Sequence, residues 1–289
     1  MAERGLIAQA VHRQGRRVTA FAGRSTSAWR MEPDFMVVGA QRCGTTSLYK
    51  TLVQHPHVLP AGLHKGVHYF DTDYQRGAGW YRSHFPTRAW ARLVQRRTGT
   101  WPLTGEASPY YMFHPLVGER IAADLPDARL VAVLRDPVER AYSAYTHERA
   151  RGFETLSFEE ALAAEPERLA GEEERLRRDP TYVSTTHQHN AYLARGRYVD
   201  QLERLEASVG RERLLVVDFD DLSMDFARTF GGVLDFLGLE QWLPESFEQK
   251  NARPRSKLDP DLRDRLRADF EPYDERLAAW WGRTPGWRA

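Results

Sequence analysis

An α/β fold of three layers, α/β/α, with a largely parallel central sheet is what this sequence predicts, and three observations carry it. Short apolar runs at residues 35–38, 129–134 and 214–219 end in glycine or charge, as strands buried on both faces do. Stretches of helical periodicity lie between them, the alternation expected of a parallel sheet covered by helices. The first run leads straight into Gly39-Ala40-Gln41-Arg42-Cys43-Gly44-Thr45-Thr46-Ser47, a glycine-bounded loop that opens a helix. Its spacing is that of the phosphate-cradling motif G-x-x-x-x-G-K-[ST], with Thr45 in the lysine slot. Backbone N–H groups and the positive end of the helix dipole converge on an anion in such a loop. Gly44 has no Cβ to block close approach, Thr45, Thr46 and Ser47 offer hydroxyls, and Arg42 is a permanent cation. The lysine that would reach the far phosphates of a nucleoside triphosphate is missing.

Composition narrows the function classes. With 42% hydrophobic and 28% charged residues, the 289-residue chain can bury a core and is not globally disordered. A formal net charge of +1 argues against a general nucleic-acid binder. The one cysteine, Cys43, allows no intrachain disulfide and no all-cysteine zinc site; it suits a reducing, cytoplasmic setting. No run reaches the roughly 18–20 apolar residues of a membrane span. The first 30 residues hold Arg4, Arg13, Arg16, Arg17, Arg24 and Arg30 against Glu3 and lack an apolar signal-peptide core. We read them as a mobile basic leader before one domain over residues 31–289.

The elements follow in order. A helix starts near Thr46, with Leu48, Leu52 and Val53 on one face, and ends at His55-Pro56. Residues 63–71 look extended, which would set Gly66, His68 and Phe70 on one side. Residues 79–86 read as a short aromatic helix. Residues 101–104 read as a strand leading into Gly105-Glu106-Ala107-Ser108-Pro109-Tyr110-Tyr111, at the carboxyl end where α/β sheets place ligand contacts. A helix over 114–125 precedes the clearest strand, Arg129–Leu134. Asp136 then caps a helix with Pro137 at its first position, and Ser143 lies about two turns in. The charged block 165–179 reads as an exposed helical insertion. His187-Gln188-His189-Asn190 has no metal-ligand spacing to support it, and we assign no metal. Helices are expected over 192–205 and 226–237, the latter stopped by Gly238. A basic loop at 250–257 and two helices, 262–270 and 276–281, complete the chain.

These residues carry a resemblance to the PAPS-dependent sulfotransferases, in the style of the bacterial and heparan-sulfate branch. (PAPS is 3′-phosphoadenosine 5′-phosphosulfate; PAP is the product without the sulfuryl group.) The loop from Gly39 to Ser47 resembles the family's 5′-phosphosulfate loop. Leu134-Arg135-Asp136-Pro137-Val138-Glu139-Arg140-Ala141-Tyr142-Ser143 resembles its 3′-phosphate motif. Lys65-Gly66-Val67-His68-Tyr69-Phe70 resembles a substrate-side motif, K-E-x-H-F-F, and Glu106-Ala107-Ser108-Pro109-Tyr110 an E-K-[ST]-P-x-Y block. The resemblance implies that Arg42 steadies the bridging oxygen of the leaving group and that Cys43, Gly44, Thr45, Thr46 and Ser47 hold the phosphosulfate. It implies that Arg135 and Ser143 hold the 3′-phosphate, that a loop near Arg253 closes over the nucleotide, and that His64, Lys65 and Tyr110 face the acceptor. PAPS would be the co-substrate, and a hydroxyl, or less readily an amine, of a carbohydrate, glycolipid or small molecule the acceptor.

Two departures matter: Gly66 stands where the heparan-sulfate enzymes have a glutamate base, and Ala107 replaces a lysine. Sulfuryl transfer depends on positioning and on neutralising the leaving oxygens, and an acceptor hydroxyl needs a base. His68, Glu106 and His64 are the candidates for that base, with neutral-range titration favouring histidine. Each residue also has a plainer reading: Arg135 as partner of Asp136 or Glu139, Ser143 as a packing residue. Two alternatives stand beside the transferase, a P-loop kinase and a PAP- or PAPS-binding protein without catalysis. Cys43 reads as a small loop residue and not a nucleophile, since the transfer needs no covalent intermediate, with a thiol that its place near Arg42 and a helix start would make oxidation-sensitive.

Overall fold

The computed structural model describes residues 25–62, 66–244 and 258–289. Five parallel strands form one sheet in the order β2-β3-β1-β4-β5. They are β1 (Phe35–Gly39), β2 (Val58–Pro60), β3 (Leu103–Ala107), β4 (Arg129–Leu134) and β5 (Leu214–Asp218). β1 is central because every one of its residues is buried, leaving it no solvent face to present. Val37 lies level with Ala107 on one side and Val131 on the other. The chain leaving β1 travels toward β2 and β3, whereas β4 and β5 lie on the opposite side. The carboxyl end of β1 is thus a switch point, where the departing connections leave a crevice.

Helices cover the sheet: α1 (Thr45–Leu52), α2 (Ala78–Arg82), α3 (Arg88–Thr98), α4 (Val117–Asp124), α5 (Pro137–Arg151), α6 (Phe158–Leu169), α7 (Glu172–Arg178), α8 (Thr185–His189), α9 (Tyr198–Val209), α10 (Phe219–Met224), α11 (Phe226–Leu237) and α12 (Pro260–Trp281). α9 packs on both α4 and α12. The Asp136 carboxylate caps α5, accepting from the Val138 and Glu139 amides at 2.8 and 3.2 Å, with Pro137 at the first position. Gly238, at φ 72°, ends α11 as expected.

Several sequence expectations change, and the helix expected over 192–205 runs from Tyr198 to Val209. The predicted strand at 101–104 begins at Leu103 and runs through Glu106, whose charge is met by internal donors described below. Residues 66–68 are irregular and 69–72 form a turn, so the alternation drawn for an extended segment does not hold. The two C-terminal helices are one, α12, capped by Asp259 and continuous through Pro272. The charged block 165–179 is not simply a solvated face. Glu165 is buried and accepts from the Leu193 and Ala194 amides, both at 2.7 Å, because a carboxylate bonded to backbone N–H groups tolerates burial. β2 and α3 had no counterpart in the sequence reading. Residues 25–30, grouped there with the leader, are tied down: Arg30 donates to the Phe85 carbonyl at 2.6 Å and bridges Thr87. The leader up to residue 24, His64, Lys65 and the loop holding Arg253 lie outside the described residues.

Gly105 tests the tightness of the central pair. A Cβ there would stand 2.5 Å from the Phe35 carbonyl oxygen and 2.7 Å from its ring. Gly105→Ala should therefore lower the unfolding free energy in urea by about 1–3 kcal/mol, the cost of overpacking a filled core; an unchanged midpoint would mean that β1 and β3 are not so closely apposed.

Candidate active site

The loop after β1 is shaped by its two ends. Gly44 adopts φ 85°, open to glycine, and its carbonyl accepts from both Ser47 and Leu48, at 2.9 and 3.1 Å. The amides of Gly44, Thr45 and Thr46 thus precede the first bonds within the helix, the positions that face an anion. Arg42, at φ 74°, turns its side chain across the crevice: its Nε donates to Ser143 Oγ at 3.2 Å, and Nη1 lies 3.5 Å from His147 Nδ1. Cys43 turns the other way. Its thiol is fully buried 3.7 Å from the Tyr198 hydroxyl, its N–H donates to Ala40, and burial pushes its pKa up to about 11. The expected oxidation-sensitive thiol is thereby corrected: a buried, neutral thiol is inert.

Arg135 leaves the tip of β4 beside this loop. Its guanidinium lies over the Phe219 ring, 5.2 Å from the centroid. A Cβ on Gly44 would meet the same ring at 2.8 Å, so Phe219 is wedged between the loop and Arg135. Arg135 also approaches Glu139, at 3.8 Å with both side chains part-exposed, too loose a pair to hold it in place. Arg42 thus joins the loop to α5 through Ser143, and Phe219 links Gly44 to Arg135, so the loop, the tip of β4 and α5 border one another. Their donors and cations suit two separated anionic groups.

On the β3 side, Glu106 is wholly buried and organises the approach. Its Oε1 accepts from Tyr81 and Tyr111 hydroxyls at 2.7 and 2.8 Å, and its Oε2 from Ser108 Oγ and the Val67 amide at 2.6 and 2.7 Å. Burial raises its pKa against those four hydrogen bonds. Ser108 Oγ in turn accepts from the His68 amide at 3.1 Å, fixing His68 at φ 57°. His68 Nδ1 lies 2.8 Å from Oδ2 of buried Asp71, which leaves Nε2 as the free acceptor nitrogen of the neutral ring. Burial opposes the imidazolium, but the charge and hydrogen bond of Asp71, with help from Glu106 and Asp73, carry the His68 pKa above its ordinary 6.5. A Cβ on residue 66 would stand 2.8 Å from the Ala107 carbonyl oxygen and 3.4 Å from His68 Nε2. Position 66 is closed to a side chain, and His68 Nε2 borders the space beside it. Tyr110 is buried, with its hydroxyl 2.7 Å from His187 Nδ1 and the Arg195 guanidinium over its ring.

Residues 32–256 match the sulfotransferase domain family. The chain belongs to the sulfotransferase family. This sulfotransferase is 31% identical to a solved sulfotransferase from Alicyclobacillus acidocaldarius, over 90% of this chain and all of that one, with a TM-score of 0.63. It is 26% identical to human heparan sulfate glucosamine 3-O-sulfotransferase 3B1, over 91% of this chain and 67% of that protein. It is 30% identical to human bifunctional heparan sulfate N-deacetylase/N-sulfotransferase 3 over 72% of this chain, and it spans 22% of that relative's length.

Three residues of the sulfotransferase crevice escaped the sequence reading. Asp71 follows His68 by three positions, a spacing that signals contact only once the segment is a turn. Phe219 was counted as the end of a strand but begins α10. His147 lies one turn beyond Ser143, the single cue available. Among the described residues no group of His, Cys, Asp or Glu could hold a metal ion.

Gly44 and Gly99 have similar positive φ, 85° and 81°, but only Gly44 has Phe219 against it. Both alanine variants should lose about 1 kcal/mol or more to backbone strain, and Gly44→Ala should lose measurably more in urea unfolding. Equal losses would remove Phe219 as a wedge.

Proposed function

We propose that this protein transfers the sulfuryl group of PAPS to a hydroxyl of a carbohydrate, glycolipid or small molecule, releasing PAP. The single observation that carries the reading is the 3.2 Å Arg42–Ser143 bond, which brings the phosphate loop against the helix that follows Arg135. PAPS supplies an activated sulfuryl group, whose S–O bond to the 5′-phosphate breaks as the acceptor oxygen bonds to sulfur. Arg42 and the first-turn groups of Gly44, Thr45, Thr46 and Ser47 hold the 5′ end and balance charge on the leaving oxygen. Cys43 sets the loop's shape from the core side. Arg135 and Ser143 hold the 3′-phosphate, as a planar fork and a hydroxyl do well. Arg253, with His64 and Lys65, belongs to this proposal on sequence alone.

His68 is the base in this reading. Asp71 orients its ring and stabilises the imidazolium formed when Nε2 takes the acceptor's proton. Glu106 has both oxygens engaged and acts by positioning, through Ser108 and Val67. Tyr110, its hydroxyl already bonded, supports the acceptor side from behind. The heparan-sulfate relatives point to a glycan among acceptor classes. A cytoplasmic setting rests on the lone thiol.

PAP should raise the melting temperature by several degrees where ATP with Mg²⁺ does not; the reverse result would point to a kinase. His68→Ala should reduce turnover more than tenfold, and a smaller loss would remove His68 as the base.

The pH dependence has a defined sign. A base must be neutral, so kcat/KM should rise with pH through a limb above 6.5, the ordinary histidine value. Asp71→Asn removes the group that raises it, so the limb should move to lower pH while the plateau falls by about tenfold or more. A limb that stays in place would contradict the pairing. Because the folded pKa is raised, the pair's stabilisation is full at low pH and is lost as pH rises through that value. Gly66→Glu should not restore a glutamate base: its Cβ meets the Ala107 backbone, so turnover should fall, and a gain would refute the steric account.

A further inference from the structure

α3 is held to the body of the protein by a narrow strip. Ala91, fully buried, and Val94, half-buried, join Met31 and Leu59 in a small cluster, and the rest of the helix is exposed. The outward side is not an ordinary polar face. Trp90 is 49% exposed and Leu93 39%, and Arg97 follows them at helical spacing. Trp29, 68% exposed, adjoins the helix start, because Arg30 bridges Thr87 and its carbonyl accepts from Arg88 Nε at 3.3 Å. Trp101, 39% exposed, lies just past the Gly99 cap at the other end. The face is about 16 Å long at 1.5 Å per residue.

Its charge has one sign. Between Tyr74 and Gly105 there are six arginines and no aspartate or glutamate. Arg88, Arg92, Arg96 and Arg97 all lie on α3 and are exposed. Glu32, two residues beyond Arg30, is taken up by Arg82 at 2.9 Å. The described chain begins at Ser25, four residues before Trp29, and the sequence ahead of it adds Arg4, Arg13, Arg16, Arg17 and Arg24 against Glu3.

We propose that α3, with Trp29 and Trp101 at its ends, is a docking face for an anionic lipid surface. Tryptophan has an apolar body and a polar N–H, and it settles at the headgroup level. Arginines beside it are drawn to anionic headgroups, and Leu93 adds apolar area to sink below them. A soluble polyanion would engage the arginines but gain little from Leu93 and the flanking tryptophans. This lipid contact is peripheral; no helix among the described residues is long and apolar enough to cross a membrane. The inference does not depend on the transferase reading.

The test is sedimentation of the full chain with phosphatidylcholine vesicles, with and without phosphatidylserine, at near-physiological salt. Binding is expected only to the phosphatidylserine vesicles. The triple variant Arg92→Gln, Arg96→Gln, Arg97→Gln should weaken it roughly a hundredfold, at about fivefold per arginine. The pair Trp90→Ser, Leu93→Ser should also weaken it several-fold while leaving the melting temperature unchanged, since both side chains are exposed. No binding to phosphatidylserine vesicles, equal binding to neutral ones, or wild-type binding by both variants would overturn the proposal. So would binding to soluble heparin that is as tight as vesicle binding and insensitive to Trp90→Ser, Leu93→Ser, which would make the face a polyanion site.

Discussion

The hydrogen bond from Arg42 to Ser143 is the contact on which the rest of the site depends. It joins a loop at the tip of β1 to Ser143 of α5, 101 residues further along the chain. Parallel strands lie about 4.8 Å apart, so β3, β1 and β4 deliver their following segments side by side. The order of strands puts the His68 anchor, the phosphate loop and Arg135 in one row. Phe219, sent in from the end of β5, fills the space behind Gly44 and Arg135 and fixes their separation. The chemistry proposed for the crevice follows from that spacing more than from any one residue.

A buried carboxylate organises the β3 side of the site. Glu106 is costly to bury, and four hydrogen bonds offset that cost. In doing so it orders Tyr81, Tyr111, Ser108 and the Val67 backbone, and Ser108 holds the backbone of His68. Closure of position 66 by the Ala107 carbonyl leaves His68 beside the space the motif's glutamate would use. In the transfer proposed, His68 serves as base in place of that glutamate, with Asp71 as its electrostatic partner.

The sheet and the phosphate loop were legible because apolar strands, a glycine-bounded turn and an Asp-Pro cap are local signals. β4 and α11 carry the same bounds in sequence and structure for that reason. The convergence of Arg42, Arg135 and Ser143 was legible only through the paired motifs. The His68–Asp71 contact was hidden, since an extended reading of residues 63–71 sends those side chains to opposite faces, and only the turn at 69–72 brings them together. Glu106 read as a candidate base because its burial, and its bonds from Tyr81 and the Val67 amide 25 and 39 residues away, leave no local signal. The joined C-terminal helix was missed because proline ordinarily interrupts a helix, and α12 continues through Pro272.

The most direct test of the account is a crystal structure with PAP bound. The account predicts the 5′-phosphate against the amides and hydroxyls of residues 43–47, with the 3′-phosphate within hydrogen-bond reach of Arg135 and Ser143. A nucleotide whose 3′-phosphate avoids Arg135, or whose 5′-phosphate lies away from the Gly44 turn, would contradict it.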